Sequence, residues 1–278
     1  IYDVPLNLKN EKLDTIVLNK FGYSDVREIE LPEWNNFLQR FKYPKKEVTI
    51  GLIGKYVELK DAYISIYESF DHAGAKNECK VNVERIHSEE INKNNVKEKL
   101  GHLDGIFVAP GFGQRGVDGK IYTIQYAREN NVPFFGFCLG MQMAVIEFAK
   151  NVLHLEDANS SEMKHKCKNP VIDMMQDQKT IVNMGGTMRL GAYDCHIKES
   201  TLAYKIYEST HISERHRHRY EFNSKYQQDF IDNGMIASGI NPESGLVEIM
   251  EIPSHKFFIG VQFHPELKST ILNPHPLF

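Results

Sequence analysis

The spacing of apolar positions changes along this chain. Residues 1–47 are mostly polar with helix-like segments at 11–21 and 32–41, the second opening on Pro32 in its first turn. Residues 43–47 read as a polar connector. From Val48 short apolar runs alternate with longer amphipathic stretches. Runs at 48–54, 79–86, 105–109 and 133–137 predict strands, and 63–73, 91–100, 121–130 and 141–150 predict helices. Such alternation implies an α/β fold with a mostly parallel central sheet, right-handed crossovers and flanking helices. Further strands are expected at 180–184, 192–197, 235–239, 246–252 and 257–263, added antiparallel in the second half. The expected organisation is a linker with helices over 1–47 and one α/β domain over 48–278.

Composition narrows the picture without fixing it. A chain of 278 residues, 41% hydrophobic and 25% charged, is ordinary globular material with enough length for a sizeable core. A net charge of −4 gives no general pull toward nucleic acid or an anionic membrane. No apolar run approaches the roughly 20 residues of a membrane span. Four cysteines in scattered positions, none in zinc-ligand spacing, predict neither a disulfide scaffold nor a metal site. They fit a reducing, cytoplasmic setting. The chain starts on Ile1 without a leader pattern, and a preceding segment is expected to be missing.

The strongest chemical signal is Gly136-Phe137-Cys138-Leu139-Gly140-Met141-Gln142. An apolar strand ends here, one Cys follows between two glycines, and a helix begins. This is a nucleophile-elbow pattern, with the glycines admitting a close strand–helix approach. The turn sets the thiol at a helix N-terminus, where thiolate and a developing oxyanion are both favoured. A second element is Gln262-Phe263-His264-Pro265-Glu266 at the end of another apolar run. His264 can act as base, with Glu266 fixing its tautomer.

Together these two motifs resemble the triad (class I) glutamine amidotransferases. Three further stretches, Gly54 to Tyr63, Gly185 to Gly191 and Glu214 to Glu221, with Asp157 to Glu162, are similar to the amidotransferase half of the CTP synthase family. The resemblance runs from about residue 48 to the C-terminus. It implies a class I amidotransferase-like fold and Cys138, His264 and Glu266 as the catalytic triad. Glutamine would be hydrolysed to glutamate and ammonia through a cysteinyl thioester. It further implies L-glutamine bound by Gly111, Leu139, Gly140, Met141, Gln142, Glu162 and Arg219. Leu139 and Gly111 are the candidate backbone oxyanion donors. The family usually reads Pro-Gly-Gly-Phe-Gly where this chain has Ala109-Pro110-Gly111-Phe112-Gly113, and proline has no N–H to donate.

The same resemblance implies partners and cofactors outside this chain. A synthase domain would carry ATP, Mg²⁺ and UTP, GTP would be an allosteric activator, and the whole enzyme would be a homotetramer making CTP. Consistently, the chain has no GxxxxGK[ST] phosphate loop. No metal or cofactor is expected in the chain itself. The loop at 186–191 is a candidate for signalling to the synthase domain or for binding the nucleotide effector. In Arg215-His216-Arg217-His218-Arg219 an extended backbone would put the arginines on one face and the histidines on the other. A γ-glutamyl hydrolase of similar fold, and a catalytically dead assembly module, are the rival readings.

Overall fold

The computed structural model describes residues 1–23, 29–174 and 188–278. Its centre is a nine-stranded sheet. In chain order the strands are β1 (Lys46–Gly54), β2 (Cys79–His87), β3 (Gly105–Val108), β4 (Phe134–Phe137), β7 (Arg189–Ile197), β8 (His211–His218), β10 (Ile236–Ile240), β11 (Val247–Glu251) and β12 (Phe258–Val261). Their spatial order is β2-β1-β3-β4-β12-β11-β10-β7-β8. The first five positions pair in parallel, and the rest join antiparallel from β12 outward. The α/β fold with a parallel half and an antiparallel extension is the one the strand–helix alternation predicts.

The sheet is covered on both faces, which is why its central strands read as continuous apolar runs. Alternate residues feed two separate cores. Ile53, Ile106, Val108, Phe134 and Phe258 point to one, packed under helices α6 (Val117–Glu129) and α7 (Leu139–Asn151). Leu52, Phe107, Phe135, Phe137, Ile259 and Val261 point to the other, with Ile66 and Phe70 of α4 (Ile64–Lys76). Phe134 and Phe258 stack across the β4–β12 pair at 4.4 Å between ring centroids. Burying a side chain of that size contributes about 1.5–3 kcal/mol.

Several expectations shift in detail. The helix expected at 91–100 shrinks to α5 (Val96–Leu100). Asn92 explains this, because its side-chain oxygen accepts from the N–H groups of Asn94 and Asn95 and holds a local turn instead. A second sheet, of β5 (Ala158–Ser160), β6 (Asn169–Met174) and β9 (Tyr220–Phe222), was not anticipated. Two of its strands have three residues each, too few to show a period. The strand expected at 180–184 lies outside the described residues. The N-terminal segment forms α1 (Val4–Asn10), α2 (Leu13–Lys20) and α3 (Pro32–Lys42). It is docked, not loose: Phe37 and Leu38 bury against Ala75 of α4, with Tyr2 edge-on to Phe37 and Phe41.

The turn between β4 and α7 depends on two glycines. A Cβ on Gly140 would sit 2.4 Å from the Val108 carbonyl oxygen, a backbone atom that cannot swing away. A Cβ on Gly136 would meet the Gly140 backbone at 3.0 Å. Gly140→Ala is therefore expected to lower stability by about 1–3 kcal/mol, as overpacking does. Denaturant melts of the two proteins check it, and an unchanged midpoint would refute the close approach.

Candidate active site

The site is assembled by one parallel strand pair. In the β4–β12 register Phe137 lies opposite Val261. Both chains leave the sheet at the same edge, the carboxyl ends of parallel strands, where ligands bind in such folds. Cys138 is the next residue on one strand, and His264 follows three residues after Val261 on the other. Cys138 N–H donates to the Val261 carbonyl at 2.8 Å, which pins the elbow to β12. The Cys138 backbone is strained, with φ 51° and ψ −111°, and its residue is buried. It caps α7, an almost wholly buried helix, so the first-turn N–H groups of Leu139, Gly140 and Met141 have no intrahelical acceptor.

His264 Nδ1 is 2.8 Å from Glu266 Oε1. Its ring packs edge-on against Phe137 at 5.3 Å, and its backbone N–H donates to the Arg215 carbonyl. Nε2, the nitrogen not used by Glu266, is buried and makes no hydrogen bond of standard geometry. It is left for the thiol side of the ring. Burial opposes charge on the imidazole, but Cys138 and Glu266 outweigh it and hold its pKa up at about 10. The three side chains are thus brought together, with the imidazole between the thiol and the carboxylate.

A cavity of about 190 Å³ opens over Cys138. Of the expected glutamine-binding residues, Gly111, Gln142, Glu162 and Arg219 line it. Leu139, Gly140 and Met141 do not; Leu139 and Met141 are buried core residues, and Met141 packs on Gly260. Only their backbone can face a ligand. Gln142 donates to the Tyr220 carbonyl at 3.0 Å and to Gln262 Oε1 at 3.3 Å. Glu162 Oε1 accepts from the Gly113 N–H at 3.3 Å. The cavity therefore offers a guanidinium and a carboxylate, the pair an amino acid's two ends require.

Sequence reasoning missed Phe112, Met188, Arg217, His218 and Tyr220, which also line the cavity. The alternating arginines and histidines were the available signal. β8 is extended, with His216 and His218 buried and Arg215 and Arg217 exposed. The strand stops at His218, and Arg219 turns with Tyr220 into the cavity wall.

Behind that wall lies a closed ring of buried charge. Arg189 bonds Glu221 at 3.2 Å and Glu248 at 2.8 Å. Glu248 is 3.6 Å from His216, His216 Nδ1 is 2.7 Å from His218 Nε2, and His218 is 3.4 Å from Glu221. Burial, with Arg189 beside it, drives the His216 pKa down to about 3, and His218 also far below its ordinary value. Burial pushes Glu221 up to about 8 against the pull of Arg189. The Arg189 side chain is therefore occupied within the protein. Gly186 and Thr187 of the same loop lie outside the described residues. Among the described residues no group of three or more His, Cys, Asp or Glu side chains could hold a metal ion, and no helix is long and apolar enough to cross a membrane.

Residues 58–278 match the family described as Glutamine amidotransferase class-I, and the chain belongs to that family. Within it, the chain is 58% identical over all 278 residues to a CTP synthase of Flavobacterium johnsoniae and 53% identical to one of Bacteroides fragilis. It covers 52% of each, so it spans about half the length of the curated relatives it matches. The solved glutaminase domain of Trypanosoma brucei CTPS, with bound acivicin, is similar with a TM-score of 0.78 and 40% identity. That match covers 83% of this chain and 90% of the other.

The His264 environment has a pH consequence. Its folded pKa, about 10, lies above the ordinary 6.5. The stabilisation it contributes is complete below pH 6.5 and is lost as pH rises through about 10. Glu266→Gln removes one of the two groups that raise it. The imidazole midpoint, followed by NMR, is expected to fall below that of the wild type. The stability gap between the two proteins is expected to be widest below pH 6.5 and to narrow at higher pH. A midpoint that stays put would show that Glu266 does not hold the ring.

Proposed function

We propose that this chain is the glutaminase half of a CTP synthase, releasing ammonia from L-glutamine for the amination of UTP. The observation that carries this is the juxtaposition of Cys138 with the His264–Glu266 pair at the floor of a cavity lined by Arg219 and Glu162. The extent of the CTP synthase similarity over the whole chain supports the choice within the family.

In this reading Arg219 holds the glutamine carboxylate as a bidentate fork and Glu162 takes its ammonium. The Cys138 thiolate attacks the side-chain carbonyl carbon. The oxyanion is met by backbone N–H groups of Gly111 and Leu139. His264, charged by the thiol proton, gives that proton to the departing nitrogen, and ammonia leaves a thioester on Sγ. Water then attacks the thioester with His264 as base, and glutamate departs as the thiol re-forms. Glu266 keeps the imidazole in the tautomer that exposes Nε2 to each proton transfer.

The remaining half of such an enzyme would bind ATP, Mg²⁺ and UTP, with GTP as activator. The whole would be a cytoplasmic homotetramer. Cys138→Ala is expected to abolish glutamine-dependent CTP formation by the full-length enzyme while ammonium-dependent formation survives. It should also abolish covalent labelling by a glutamine-like electrophile such as acivicin. Loss of both activities, or neither, would sink the assignment. Arg219→Ala is expected to raise the KM for glutamine about 10- to 100-fold, the worth of a charge-assisted bond. An unchanged KM would place the glutamine carboxylate elsewhere.

A further inference from the structure

Lys120 is the least expected charge in the molecule. It lies in the first half of α6 and is completely buried. Its ammonium donates to the Ala109 carbonyl at 2.9 Å. The groups that act on its charge are Lys55, which opposes it, and Cys138, which favours it. Carboxylates are not among them. Burying an ammonium without a carboxylate costs several kcal/mol, and burial, helped by Lys55, accordingly lowers the Lys120 pKa to about 7.

The loop at 109–113 shows one use. It is tied from its carbonyl side by two lysines. Lys120 takes the Ala109 oxygen, and Lys55, at the end of β1, takes the oxygens of Phe112 and Gly113. In a trans peptide C=O and N–H point opposite ways. Pulling the Phe112 carbonyl toward Lys55 turns the Gly113 N–H the other way, and that N–H reaches Glu162 at 3.3 Å. After Ala109 comes Pro110, which has no N–H. The first N–H this loop can offer is therefore that of Gly111, on the cavity wall beside Cys138.

We propose that Lys120 is a positioning residue for the loop over the nucleophile: from inside the core it anchors the Ala109 carbonyl, and with it the backbone that presents Gly111 on the cavity wall beside Cys138. Lys55 fixes the far end of the same loop at Phe112 and Gly113. Beyond Lys55 stand Arg115, Glu162 and Glu89, which set the charge of that neighbour in turn.

The consequence for turnover rests on the glutaminase reading; the consequence for the loop does not. The test is amide hydrogen exchange over 109–113, together with glutamine turnover, by the full-length enzyme in wild type, Lys120→Met and Lys120→Gln. Methionine keeps the volume and removes the donor, so the variant is expected to fold. Glutamine is shorter than lysine but keeps an N–H donor, and is expected to restore part of what methionine loses. Exchange at Gly111 and Phe112 is expected to be about tenfold or more faster in Lys120→Met than in wild type. In glutamine turnover, kcat is expected to fall about tenfold or more with KM little changed, and further in Met than in Gln. Unchanged exchange in folded Lys120→Met would overturn the anchor, and unchanged kcat would overturn its part in turnover. Should Lys120→Met not fold, the same two readouts in Lys120→Gln decide both points. Should the loop loosen as expected while wild type leaves glutamine untouched, the glutaminase reading fails and the Lys120 result stands.

Discussion

The site depends on one stretch of backbone pairing, β4 against β12. These strands are far apart in sequence, yet their parallel register puts Phe137 beside Val261. Everything chemical follows from where the two chains go next. One turns into α7 within a single strained residue, and the other runs on through Gln262 and Phe263 to His264. A one-residue slip would reverse the faces of the outgoing side chains. Register is fixed by the two cores, because Phe134 and Phe258 must bury on one side while Phe135, Phe137, Ile259 and Val261 bury on the other. The juxtaposition of Cys138 with His264 and Glu266 is thus borrowed from hydrophobic packing, which is non-directional by itself but acquires direction from the two-residue period of a strand.

The parts of this arrangement that repeat were legible in the sequence. Strands β1, β3, β4 and β12 are apolar runs because both their faces are covered, and the elbow was visible because Gly136 and Gly140 are forced by backbone contacts. His264 and Glu266 stand two residues apart at a strand end, so their contact is local. Legibility fails where the determinant is long-range. The second sheet has strands of three residues, whose period cannot be counted. Lys55 and Lys120 look like surface residues, since only the fold reveals that they point inward. Nothing local marks Arg189 as buried, because its two carboxylate partners come from positions 221 and 248.

Those inward charges form a pattern. The ring of Arg189, Glu221, Glu248, His216 and His218 has three contacts between its imidazoles and carboxylates, namely Glu221–His218, His218–His216 and His216–Glu248. Two neutral imidazoles supply two protons for them. With one guanidinium against two carboxylates the ring then carries one net negative charge. A third proton would fill the last contact and cancel that charge together. Burial acts in the same direction, since it raises Glu221 and Glu248 above the ordinary carboxyl range.

A ring of that kind cannot be dismantled piecemeal. Removing one member leaves its neighbours as unpaired buried charges, which costs more than the pair contributed. The ring therefore ties the strand that carries His216 and His218 to Glu248 of β11 and Glu221 of β9. His218 is the last residue of β8, and the chain leaves the ladder there to carry Arg219 and Tyr220 into the cavity wall. An arginine side chain is long and flexible, and it can hold a carboxylate bidentately only if its backbone arrives at a fixed point. Buried electrostatics on the antiparallel side of the sheet and aromatic packing on the parallel side thus solve the same problem. Each fixes the exit of a strand whose following residues build the candidate site.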